Sequence, residues 1–132
     1  MKRRIDLYGL LSGVLFTVLA YTVHAQTTNC DKFHIGKYRY FEKRYSGYTI
    51  ERGQYRQIEL DSKGNVVAEF KIVWINDCEY NLTFDKVANR KNYSLLGKTI
   101  NVKIVEVISD SSYKYSAMMD GKETIYTILK VE

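Results

Sequence analysis

The sequence predicts an all-β fold: an antiparallel meander of seven to eight strands curling into a small barrel, with a two-sheet sandwich as the alternative. Three observations carry this. Apolar and polar residues alternate at period two over much of the chain, the pattern of half-buried strands. Clusters of Gly, Asn, Asp and Ser punctuate the alternating runs where tight turns are needed. No convincing amphipathic helix interrupts them, and the chain contains no proline. Successive hairpins of this length protect their edges best by closing on themselves.

The first expected strand, Phe33 to Phe41, is aromatic and β-prone. Tyr48 to Arg52 and Gln54 to Asp61 read as two short strands, or as one bent at Gly53. Asp61-Ser62-Lys63-Gly64-Asn65 is a turn into the clearest strand, 66–76. There Val66, Ala68, Phe70, Ile72 and Trp74 share one apolar face. Asn76-Asp77 turns the chain into 78–85, where Cys78, Tyr80, Leu82 and Phe84 share a face. Lys86 to Ser94 is the longest irregular stretch. Thr99 to Ile108 is rich in Val and Ile, yet Ile100, Val102 and Ile104 fall in phase with Glu106, so a bulge or barrel bend is expected to repair the register. Ser109-Asp110-Ser111 is a further turn. Ser112 to Met119 and Glu123 to Val131 flank Asp120-Gly121, a strong two-residue hairpin signal.

Residues 1–25 read as a cleavable secretory leader ahead of a single domain, 26–132. Lys2, Arg3 and Arg4 precede an apolar run from Leu7 to Tyr21, and Val23 and Ala25 satisfy the small-residue cleavage pattern. The run is short of the roughly 18–20 apolar residues of a spanning helix, so no transmembrane segment is expected after cleavage. The expected location is outside the cytoplasm, periplasmic or secreted. The whole chain has 20 basic and 15 acidic residues and a net charge of +5. The leader holds three basic residues and one acidic (Asp6), which leaves 17 against 14, a net +3. That mild excess does not call for a nucleic-acid partner. Cys30 and Cys78 both survive cleavage, and an even pair in an oxidising compartment reads as a disulfide. The alternatives are two buried thiols or half of a metal site.

Phe33-His34-Ile35-Gly36-Lys37-Tyr38 resembles the first-strand motif of the lipocalin and fatty-acid-binding superfamily, in which a glycine two residues before an aromatic closes one barrel end. The resemblance implies that Gly36 and Tyr38 form that barrel-end motif, with Tyr38 where most lipocalins carry tryptophan. The arginine that packs over this aromatic in the family is not recognisable in the sequence. A second resemblance spans most of the expected domain. A cysteine, then Gly36-Lys37-Tyr38, Ile50-x-Arg52, Gln57-Ile58-Glu59 and Trp74-Ile75-Asn76-Asp77-Cys78-Glu79-Tyr80-Asn81-Leu82 look like a family of short exported Gram-negative proteins without assigned function. Some members of that family carry an automatic type II topoisomerase name. The chain is too short for that activity and has no ATP-binding motif.

The residue inventory argues against catalysis. Beyond the leader His34 is the sole histidine, no nucleophile-elbow context surrounds a Ser or Cys, and His34 reads as a surface or rim residue. Glu51, Glu59, Glu69, Asp77 and Glu79 are available as paired carboxylates, but most fall on expected outward faces. The glycines are scattered one per bend, so no phosphate loop is formed. No metal site and no cofactor are expected. In Lys37-Tyr38-Arg39-Tyr40-Phe41, basic and aromatic residues interleave as on single-strand-binding folds. Alternation instead sends Tyr38 and Tyr40 inward and the bases to solvent.

The expected function is therefore that of a non-enzymatic exported barrel binding a small apolar ligand. Phe70, Ile72, Trp74, Tyr80, Leu82 and Phe84 are the candidate core or ligand-lining residues. The alternative is a structural or interaction module of the cell envelope, binding protein or glycan through an outer face or the Lys86–Ser94 loop. A barrel of about 107 residues is smaller than a typical ligand carrier, and eight-stranded barrels can be packed solid, so little or no cavity is expected.

Overall fold

Alternation, turn residues and bulges together wind the chain into a ring of eight antiparallel strands. These are β1 (Gly36–Tyr40), β2 (Thr49–Arg52), β3 (Arg56–Leu60), β4 (Val66–Asn76), β5 (Glu79–Val87), β6 (Thr99–Ser109), β7 (Ser112–Met119) and β8 (Lys122–Lys130). Each strand pairs with the next, and β8 returns to β1 through Tyr38↔Lys130, Arg39↔Leu129 and Tyr40↔Ile128. The sheet is thus a closed barrel and not a sandwich, which leaves no unpaired edge. The structure is a computed structural model and describes residues 29–132. The leader expected over 1–25 lies outside the described residues.

Turn chemistry sets the hairpins. In the β4–β5 turn the Asn76 side-chain oxygen accepts the Cys78 N–H at 3.0 Å, the local bond that makes Asn a turn former. Between β7 and β8, Asp120 and Gly121 take φ of 52° and 75°, the doubly left-handed geometry of a tight hairpin.

Bulges settle the phase conflicts. In β6 the register with β7 shifts between Ile104 and Glu106. Val105 is the extra residue, so Val105 and Glu106 both face outward and Val107 rejoins the packed side. Without the bulge Glu106 would follow Ile104 inward. A similar shift in β4 makes Val67 the extra residue, so Val66 is exposed.

The sequence expectation differs from the structure at the chain's first strand. Phe33 does not open β1; Asp31–Phe33 is a short 3-10 helix that tucks under the barrel with Phe33 fully buried. Gly36, at φ 147°, lets the chain swing from this plug into the strand. The plug is fastened by the Cys30–Cys78 disulfide, which joins it to the β4–β5 turn. The stretch expected to be irregular over Lys86–Ser94 begins as strand through Val87. It continues as a 3-10 helix, Arg90–Leu95, opened by an Asn89 side chain that accepts the Lys91 N–H at 3.0 Å.

Candidate ligand cavity

One end of the barrel is sealed. Phe33 packs against the Tyr113 ring at 4.7 Å, and the Tyr38 hydroxyl donates to the Phe33 carbonyl at 2.8 Å. Above them lies Arg52, projecting inward from the end of β2 and only 4% exposed. Its Nε donates to Gln57 Oε1 at 2.8 Å. Nη1 donates to the Phe33 carbonyl and the Tyr113 hydroxyl, and Nη2 donates to the Tyr80 hydroxyl, each at 2.9 Å. The guanidinium also stands 4.7 Å from the Tyr38 ring and 4.9 Å from the Tyr80 ring, within cation–π range. Lys130 closes the rim by donating from Nζ to the Lys32 carbonyl at 2.6 Å.

The other end admits a cavity of about 510 Å³, within the range of small-molecule sites. This overturns the expectation of a packed-solid interior. The missing volume is explained by the residues pointing into the middle of the barrel, where Ala68, Val102 and Ala117 are too small to meet across it. Phe70, Leu82, Phe84 and Ile100 line its apolar wall. Tyr40, Tyr115 and Tyr126 form an aromatic wall, with centroids 5.9 Å apart for Tyr40–Tyr126 and 5.3 Å for Tyr115–Tyr126. The mouth is framed by Arg44 and Tyr45 on one side and Asn92 and Leu95 on the other. Both pairs sit on the 3-10 helices Lys43–Tyr45 and Arg90–Leu95.

The floor is polar. Arg52, Gln57 and Tyr80 line it, with Glu59 higher on the wall. Burial works to lower the pKa of Arg52, but the facing Tyr113, Tyr80 and Tyr38 overcome it and hold the guanidinium above its ordinary value. Burial raises Glu59, against the Tyr40 hydroxyl that donates to it at 2.8 Å and the charge of Arg52. Burial also holds Tyr80 and Tyr115 well above 10, and pushes Tyr38 up to about 12. The phenols are therefore neutral at physiological pH.

Of the six candidate lining residues, Phe70, Tyr80, Leu82 and Phe84 face this cavity. Ile72 is buried in the core, and Trp74 lies towards the sealed end, between Tyr80 at 4.4 Å and His34 at 3.6 Å. His34 is thus a half-buried cap stacked on Trp74, with Nε2 2.8 Å from the Asp77 carbonyl oxygen. Asp31, His34 and Asp77 can bring ligand atoms within 4.8 Å of one another, though both aspartates are exposed. Gly36 and Tyr38 both fall at the sealed end. A Cβ on Gly36 would lie 2.6 Å from the Glu132 carbonyl oxygen, and Tyr38 is fully buried. In the basic–aromatic run, Tyr38 and Tyr40 turn inward while Lys37, Arg39 and Phe41 are exposed.

Sequence reasoning missed Arg52, Gln57 and Glu59. Ile50, Arg52, Gln57 and Glu59 share the inward phase of β2 and β3, and a polar residue in that phase reads as evidence against a buried face. The one available signal was that Ile50 and Arg52 are in step, so burying one buries the other.

A scan against family models and searches of curated proteins and of solved structures find no match to the chain. Among the described residues, no helix is long and apolar enough to cross a membrane.

Proposed function

We propose that this chain is an exported, non-enzymatic lipocalin-like barrel whose cavity holds a small, largely apolar ligand. The observation that carries the reading is the cavity of about 510 Å³, sealed below by the Phe33 plug and open beside Arg44 and Asn92. Apolar walls with a few convergent polar groups are the usual make-up of a small-molecule site. The disulfide is compatible with an oxidising compartment. The Arg52 guanidinium stands 4.7 Å from the Tyr38 ring at the sealed end, beneath the cavity.

Native mass spectrometry of protein purified from the envelope of its own host tests this. A retained small molecule, displaced when Ala117→Trp fills the cavity, is the expected result. A bare mass in every preparation, together with no uptake of an environment-sensitive apolar dye, would remove the carrier reading. It would leave the envelope interaction module, for which exposed Tyr93 and Leu96 beside the mouth offer a surface.

A further inference from the structure

We propose that Asp31, His34 and Asp77 form a binding site for a divalent transition-metal ion of the zinc and copper class, on the outside of the sealed barrel end. The site is separate from the cavity, and the proposal does not rest on the carrier reading.

Two segments far apart in sequence supply the donors. Asp31 and His34 stand three residues apart across the 3-10 turn Asp31–Phe33, a spacing that puts both side chains on one face. Asp77 comes from the β4–β5 turn. The Cys30–Cys78 disulfide holds the two segments together, and each half-cystine is the chain neighbour of one of the aspartates. An imidazole nitrogen and two carboxylate oxygens thereby come within 4.8 Å of one another.

The spacing suits an ion better than a direct contact. His34 Nε2 is 3.9 Å from Asp31 Oδ1, too long for a hydrogen bond. Two ligands that each lie roughly 2.0–2.2 Å from one zinc ion stand about 3–4 Å apart. His34 is the rigid member of the set, since its ring stacks on Trp74 at 3.6 Å and 20°. Its Nε2 is also 2.8 Å from the Asp77 carbonyl oxygen. With the imidazole proton on Nδ1, the Nε2 lone pair faces the same gap and that carbonyl stands beside it as a further donor. Asp31 and Asp77 are exposed, so side-chain rotation is enough to bring both carboxylates onto the ion.

The charges agree. Among the described residues no lysine or arginine pairs with Asp31 or Asp77, and the neighbouring Lys32 turns instead to Asp110 at 2.7 Å. Two carboxylates and a neutral imidazole balance a divalent ion. A nitrogen donor selects zinc or copper over calcium and magnesium, which take oxygen ligands in larger number.

Trp74 is the sole tryptophan of the chain and stacks on His34, so its fluorescence reads the site directly. Copper(II) is titrated into the protein purified from its own host, at neutral pH in a non-coordinating buffer. It is expected to quench Trp74 by at least half, saturably, with one ion per chain. Excess zinc(II) is expected to restore the emission, and the same excess of calcium or magnesium is not. Asp31→Asn and Asp77→Asn keep the side-chain size and the Trp74 stack, and each is expected to weaken copper binding at least tenfold. Quenching that does not saturate, or that either variant retains at wild-type affinity, overturns the three-ligand site. Recovery of emission with calcium as readily as with zinc overturns the class of metal.

Discussion

The Arg52 guanidinium lies 4.7 Å from the ring of Tyr38 while Tyr38 and Arg52 both bond the carbonyl of Phe33. Three elements that are separate in the chain, the plug, β1 and β2, are therefore joined at one carbonyl oxygen. Arg52→Met is expected to cost about 3 kcal/mol or more, because it strands buried acceptors at roughly 1–3 kcal/mol each. Arg52→Lys should recover little of this, since one ammonium cannot replace the planar fork. Urea unfolding monitored by circular dichroism measures both. A loss below about 1 kcal/mol for Arg52→Met would mean that the network is not what holds the plug.

The disulfide fastens the same plug from the other side. Cys30 is fully buried and the bridge spans a sequence separation of 48. Replacing both cysteines by alanine is expected to cost about 2–4 kcal/mol. Hydrogen exchange should show the loss first at Asp31–Phe33 and the β4–β5 turn. Uniform exchange across the barrel after the replacement would argue against a localised role.

Two glycines separate backbone need from open space. A Cβ at Gly36 would meet the Glu132 carbonyl at 2.6 Å and Lys130 Cε at 2.7 Å, at a φ of 147° that L residues rarely adopt. At Gly53 the nearest atom is 3.7 Å away. Gly36→Ala should therefore destabilise by about 1–3 kcal/mol. Gly53→Ala should be neutral or slightly stabilising, by up to about 1 kcal/mol. Thermal melts of the pair decide, and equal melting temperatures would refute the distinction.

Glu59 makes stability depend on pH. Burial raises its pKa in the folded state, so the native protein binds more protons than the unfolded chain and stability falls as pH rises from the ordinary carboxyl range through the folded value. Glu59→Gln keeps an acceptor for the Tyr40 hydroxyl and removes the titration. The melting temperature of Glu59→Gln relative to wild type is expected to climb between pH 4 and pH 8. A constant difference over that range would show that Glu59 ionises at no cost.

The fold was largely legible in the sequence because a half-buried strand writes its burial at period two. Val66–Asn76, the Asn76-Asp77 turn and the Asp120-Gly121 hairpin needed only local rules, and Glu106 announced its bulge by standing out of phase. The plug was not legible, since Phe33 has the residue type of a strand and only the Cys30 bridge and the buried space beneath the barrel make it a 3-10 helix.

The sequence by itself determined the strands, their order and the residues able to turn. Those are nearest-neighbour properties of backbone sterics and alternating hydrophobicity. Only the tertiary structure decided what the barrel encloses. Whether Ala68, Val102 and Ala117 leave a space, and whether Arg52 finds Gln57, Phe33, Tyr113 and Tyr80 as its acceptors, depends on side chains meeting across strands far apart in sequence. Ring closure brings those side chains together, and no local pattern encodes the distance across it.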